Sequence, residues 1–175
     1  MTPRTARITL TALLLGIYAT LGIARQLTNT IREAGLLRAS VATAFGLAAV
    51  MVGVLLVRSP ALRRPGTLLA ALMITAIYAA VVFPMSSPEE KLHFLEYGAV
   101  AILAIFASSP AWTTLRRFAF AALFTLAAGW LDEGIQALLP NRYYDLRDVA
   151  FNALAGVMAL TAFALIRRLS VSPME

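Results

Sequence analysis

Residues 92–108 read LHFLEYGAVAILAIFAS. His93, Glu96 and Tyr97 stand three and four apart, which puts them on one face of a helix, with Gly98 beside them. After Gly98 the stretch is apolar to its end, and seventeen residues are just enough for a helix to cross a bilayer core, which takes about 17–25. Five more stretches of this kind occur at residues 8–24, 39–57, 67–83, 114–131 and 149–166. Their separators carry helix-breaking punctuation: Ser59-Pro60, Pro65-Gly66, Pro84, Pro88, Pro110 and Pro140. The pattern predicts an all-α fold, a polytopic transmembrane helical bundle of about six spans with its polar motifs clustered at one membrane face. No internal repeat or linker divides it. Residues 1–86 hold three spans, 87–169 hold the three that carry the polar motifs, and 170–175 form a short tail.

Composition agrees with this reading. Of 175 residues, 60% are hydrophobic and 14% charged, with a mean hydropathy of +0.78. Soluble domains average about 45–50% apolar and about 25% charged. Disorder, collagen-like repeats and disulfide-rich secreted modules are poor fits. The net charge of +6 comes from single and paired arginines between apolar blocks, the pattern of loops beside a membrane; no nucleic-acid partner is expected. With no cysteine, the chain has no thiolate metal site and no cysteine nucleophile.

Orientation follows from the basic residues, which are retained on the cytoplasmic side. With six spans and the N-terminus inside, one side carries nine of the 15 lysines and arginines, and Glu175 is its only acid. The other side carries Arg25, Arg32, Arg38, Lys91, Arg142 and Arg147 together with all the remaining acids. Both termini are therefore expected in the cytoplasm. Arg4 and Arg7 before an apolar run ending Gly22-Ile23-Ala24 also resemble a signal peptide, but the run is long for one and an uncleaved helix is favoured. Residues 25–38 read as a short interfacial helix with Arg25, Asn29, Arg32 and Glu33 on its polar face, or as a solvated connector.

The acids of that second side gather at helix ends. Asp132 and Gln136 share a face at the close of the fifth span, with Glu133 adjacent; Asp145, Asp148, Asn152 and Gly156 form a stripe entering the sixth. An ionised group at the bilayer centre is disfavoured by about 2.5–3.5 kcal/mol even on the lenient insertion scale, so Glu96 and Asn152 are expected to face the bundle interior. Lys91, Arg142 and Arg147 are the candidate cations for pairing with the acids, and Gly98, Ala153, Ala155 and Gly156 would allow close helix approach. The whole predicts a buried, water-accessible polar pocket near one leaflet.

Four motifs, Lys91-x-His93-Phe94-x-Glu96-Tyr97, Asp132-Glu133-x-x-Gln136, Pro140-x-Arg142 and Asp145-x-x-Asp148-x-x-x-Asn152-x-x-x-Gly156, together resemble the VanZ-like family over residues 87–169. The namesake of that family is an accessory membrane protein of teicoplanin resistance. The resemblance implies a bacterial protein of the cytoplasmic membrane, associated with the cell envelope and contributing to lipoglycopeptide tolerance; it implies no particular reaction.

His93 and Glu96 suit an acid–base pair, with Asp132 and Glu133 alongside, although a polar clasp between helices would use the same residues. Lys91 and Arg142 suit an anionic headgroup, with Tyr97, Gln136, Asp145, Asp148 and Asn152 as further contacts. A divalent magnesium, manganese or zinc ion is compatible with one histidine and several carboxylates. It is not favoured, because paired-histidine spacing is absent and Lys91 and Arg142 compete for the same acids. Trp112, Trp130, Tyr143 and Tyr144 read as interfacial belt residues, and Glu89 and Glu90 as a solvated helix start. The expected partner is a membrane lipid or lipid-linked envelope precursor at the outer leaflet. A proton- or ion-coupled transporter or flippase, and a non-catalytic scaffold, are the other two readings.

Overall fold

Helix α1 (Pro3–Glu33) starts where the side chain of Thr2 accepts a hydrogen bond from Thr5 N and Pro3 supplies a preset backbone angle. It ends in a Schellman turn: Leu36 N donates to Ile31 O, Gly35 N donates to Arg32 O, and Gly35 takes φ 71°, the left-handed conformation that glycine adopts without strain. The chain then runs through α2 (Leu37–Arg58), α3 (Pro65–Val82), α4 (Pro88–Ala107), α5 (Thr114–Gln136) and α6 (Leu146–Val171). The computed structural model describes residues 1–58, 65–85, 88–140 and 142–171; the Ser59-Pro60 break, Arg63 and Arg64, the boundary at 86/87, Asn141 and most of the 170–175 tail lie outside them. Among the described residues the fold is all helical.

Four helical stretches are long and apolar enough to cross a membrane: Pro3–Ile23, Pro65–Val82, Thr114–Gln136 and Leu146–Arg167. A fifth arises if Gln26–Glu33 and Leu37–Met51, bent by 107° at Gly35, count as one span. This marks a membrane protein. Glu89, Glu90, Lys91 and Glu96 give α4 too much charge to pass the same test, yet α4 is the most enclosed helix of the bundle. The expected separate interfacial helix at 25–38 is not found. Residues through Glu33 continue α1 without a break, and the turn falls at 34–36. Nothing in residues 24–33 breaks a helix, whereas Gly35 does.

Helices α1, α4, α5 and α6 form the core, with Tyr97, Val100, Ala101, Ala104, Ile105, Ala121 and Ala155 nearly or fully buried between them. Helices α4 and α6 share the largest contact and run side by side in the same direction, with α5 antiparallel to both. Helix α1 returns against α4: Arg7 Nε donates to Ala107 O at 2.9 Å, and Tyr18 OH donates to Ala128 O at 2.9 Å. Arg117 Nη2 donates to Ile105 O and its Nε to Ser108 Oγ, both at 2.9 Å. Two guanidinium groups thus satisfy the last turn of α4, the end of a helix that attracts cations. Helices α2 and α3 lie outside this core and expose Leu47, Val50, Leu69, Leu72 and Ile77, as surfaces facing lipid do.

Two glycines set how closely α5 and α6 approach. A Cβ at Gly129 would lie 2.8 Å from Asn152 Cβ, and one at Gly156 would lie 2.8 Å from Thr125 Cγ2. The sequence points to close approach at Gly98 and Gly156; Gly156 is tightly packed, Gly98 is not, and Gly129 is a tight position that the sequence does not mark. At Gly98 the nearest atom, Ala159 Cβ, is 3.7 Å away, an ordinary contact. Gly129→Ala and Gly156→Ala are therefore expected to lower unfolding free energy by about 1–3 kcal/mol. Gly98→Ala, which fits and improves helix propensity, should leave it unchanged or raised. Thermal unfolding in detergent distinguishes the three, and equal transitions would show that the approach of α5 and α6 has slack.

Candidate functional site

The first turns of α4 carry His93, Glu96 and Tyr97 on the face turned toward α5. His93 Nδ1 lies 3.6 Å from Glu96 Oε2 and 3.9 Å from Asp132 Oδ2, so one imidazole nitrogen faces two carboxylates from different helices. These distances exceed hydrogen-bond length, and Nδ1 is enclosed without a hydrogen-bond partner. Tyr97 sits one turn deeper and is fully buried, its ring 6.2 Å from that of His93. Its hydroxyl donates to Ala128 O at 3.4 Å, the carbonyl that also accepts from Tyr18.

The end of α5 places two adjacent carboxylates in different surroundings. Asp132 is fully buried beside Tyr97 and Gln136, and neither carboxylate oxygen reaches a hydrogen-bond partner among the described residues. Glu133, 1% exposed, has both oxygens engaged: Oε1 accepts from Gln136 Nε2 at 2.8 Å and Oε2 accepts from Asp145 N at 3.0 Å. The second bond fastens the loop after α5 back onto the helix. Asp145 Oδ1 in turn accepts from Arg147 N at 2.8 Å and starts α6. Asn152, one turn below Asp148, is fully buried with both amide atoms unpartnered.

Above this buried layer opens a cavity of about 340 Å³, within the range of about 300–1,000 Å³ typical of small-ligand clefts. His93 and Glu96 from α4, Asp148 from α6, and Arg142 and Asp145 from the intervening loop line it. The remaining polar lining is Glu90 together with Thr20, Thr28, Asn29 and Arg32 of α1. Of the expected site residues, five therefore line the cavity. Asp132, Glu133, Tyr97, Gln136 and Asn152 lie behind the wall.

Lys91 does not line the cavity. Nor do Lys91, Arg142 or Arg147 come within ion-pairing distance of a carboxylate among the described residues, so the expected cation–acid pairing is replaced by contacts to His93. Lys91 falls on a different face of α4 from His93 and Glu96 because two and five residues separate it from them. Glu90, read as part of a solvated helix start, proves to be cavity wall.

The α1 residues were the main omission. Ile17, Leu21, Thr28 and Arg32 are spaced by four, seven and four, one continuous helical face. The apolar run ends at residue 24, but the helix and its cavity-facing side continue to Glu33. At about 1.5 Å per residue, α1 is about 46 Å long, more than a hydrocarbon core of about 30 Å requires, and its last turns line the cavity.

Chemically, the wall can bind anions through Arg32 and Arg142, bind cations through Glu90, Glu96, Asp145 and Asp148, and transfer a proton at His93, whose Nε2 is not enclosed as Nδ1 is. Among the described residues no three His, Asp or Glu side chains converge as a metal-binding set.

The neighbouring carboxylates of α5 should respond oppositely to substitution. Glu133→Ala strands Gln136 and Asp145 N and is expected to lower unfolding free energy by about 1–3 kcal/mol. Asp132→Asn removes a buried charge that lacks a hydrogen bond, and should leave stability unchanged or raise it. Thermal unfolding of both variants in detergent reads the difference; a larger loss for Asp132→Asn would mean that the contact with His93 outweighs the cost of burying the acid.

No family model, no curated protein and no solved structure matches the chain, so its sequence motifs and this geometry are what bear on its role.

Proposed function

We propose that the chain is a VanZ-like membrane protein of the bacterial cell envelope whose polar cavity binds, and through His93 modifies, a lipid or lipid-linked precursor at the outer leaflet, contributing to lipoglycopeptide tolerance of the teicoplanin type. The observation that carries this reading is the mixed-charge cavity at one end of a bundle whose middle is apolar. In this reading α2 and α4 complete six spans, both termini are cytoplasmic, and Arg7 and Arg117 mark the cytoplasmic end. Arg142, with Nε enclosed and without a hydrogen-bond partner, offers the rest of its guanidinium to the ligand.

Passage across the membrane is less well supported. Below Tyr97 and Asn152 the core is Val100, Ala101, Ala104, Ile105 and Ala155, and Thr125 there donates its hydroxyl to Ala121 O within its own helix. An ion crossing the bundle would meet apolar side chains where a relay needs polar ones.

Two measurements test the reading. In native mass spectrometry of the detergent-extracted protein, Arg142→Ala should release co-purifying lipid that Arg116→Ala, at the far end of α5, retains; equal retention in both counts against a headgroup site. Single cysteines at Tyr143 and Ala111, in a chain with no other cysteine, report orientation in intact cells. Labelling by an impermeant thiol reagent is expected at position 143 alone. Labelling at 111 alone would put the cavity against the cytoplasm and end the envelope reading.

A further inference from the structure

The cavity wall does not have the charge balance of a simple anion site. Glu90, Glu96, Asp145 and Asp148 face it with four carboxylates, against the two guanidinium groups of Arg32 and Arg142. Directly behind His93 stands a further acid, Asp132, fully buried with Oδ2 3.9 Å from His93 Nδ1. Lys91, which would have shifted the balance toward anions, is not part of the wall. A phosphate alone would meet Arg32 and Arg142 but add a further negative charge beside four carboxylates, and like charges brought together repel. A ligand that brings its own cation satisfies both sets.

We propose that the ligand is a zwitterionic lipid headgroup, with a phosphate held by Arg32 and Arg142 and a primary ammonium held by the carboxylates of Glu96 and Asp148. A primary ammonium offers three N–H donors to carboxylate acceptors, which a quaternary ammonium does not. Ile17, Leu21 and Leu92 supply the apolar part of the wall, where the glycerol end of a lipid would lie. This rests on the headgroup reading proposed above and narrows it to one class.

The test presents the full-length protein, delipidated in detergent, with phosphatidylethanolamine, phosphatidylcholine and phosphatidylglycerol of matched acyl chains, and reads retention by native mass spectrometry. Retention of phosphatidylethanolamine about tenfold above the other two is expected, a difference of about 1.4 kcal/mol. Glu96→Gln with Asp148→Asn should abolish that preference, and Arg142→Ala should weaken all phosphate-bearing lipids.

Equal or better retention of phosphatidylglycerol or phosphatidylcholine by the unaltered protein overturns the zwitterion proposal while leaving a headgroup site standing, provided that Arg142→Ala still lowers retention. Retention that ignores both headgroup and Arg142 overturns the headgroup site as well. Water-soluble phosphoethanolamine that binds when the lipid does not would move the source of the ligand to the aqueous phase and overturn the lipid assignment. The comparison of lipids on the unaltered chain decides the question even if a variant fails to fold.

Discussion

The bundle depends on burying polar side chains at one end. Tyr97, Asp132 and Asn152 are fully buried where α4, α5 and α6 meet, and Gln136 and Glu133 nearly so. A carboxylate or amide in such a place costs free energy unless it is hydrogen bonded, and Glu133 is the residue for which that requirement is fully met. Its two bonds fasten α5 to the loop that leads into α6, so the end of one helix fixes the start of the next. Asp132 and Asn152, left incomplete, are held in place by what surrounds them. Gly129 lets Asn152 press against α5, and Tyr97 closes the third side.

From that constraint the site follows. Once α5 and α6 are locked at Gly129 and Gly156, the loop between them is drawn over the mouth of the bundle, and Arg142 and Asp145 come to stand beside His93 and Glu96. Helix α1 completes the enclosure because it is longer than a membrane is thick and because Arg7 and Tyr18 bind it to α4 and α5 at two levels. The cavity is therefore a product of four helices, and its charge comes from side chains spread over more than a hundred residues of chain.

The division of labour along the bundle axis bears on function. One end holds arginines bonded to backbone carbonyls and a serine hydroxyl; the other holds acids, a histidine and two guanidinium groups around open space. Arginines at the first end are bonded to the helix end, and charge of both signs gathers around the cavity at the second. A protein that only needed its helices packed would have little reason to hold four carboxylates around a cavity. That asymmetry supports a binding role for the polar end.

Much of this was legible in the residues themselves. Apolar runs of the length of a bilayer, broken by proline and glycine, determined an all-helical membrane protein, because no other hydrogen-bonding arrangement of such runs except a closed barrel is stable in lipid. The spacing of His93, Glu96 and Tyr97, and of Asp145, Asp148 and Asn152, determined which faces are polar, because helical geometry is local. What spacing cannot specify is how far one helix stands from the next. Tertiary structure alone decided that Glu133 is a fastening and Glu96 a wall, that Lys91 turns away, and that the far turns of α1 belong to the cavity. Those outcomes depend on interhelical distances set by side chains as small as the hydrogen of Gly129, which leave no mark in the local pattern of the chain.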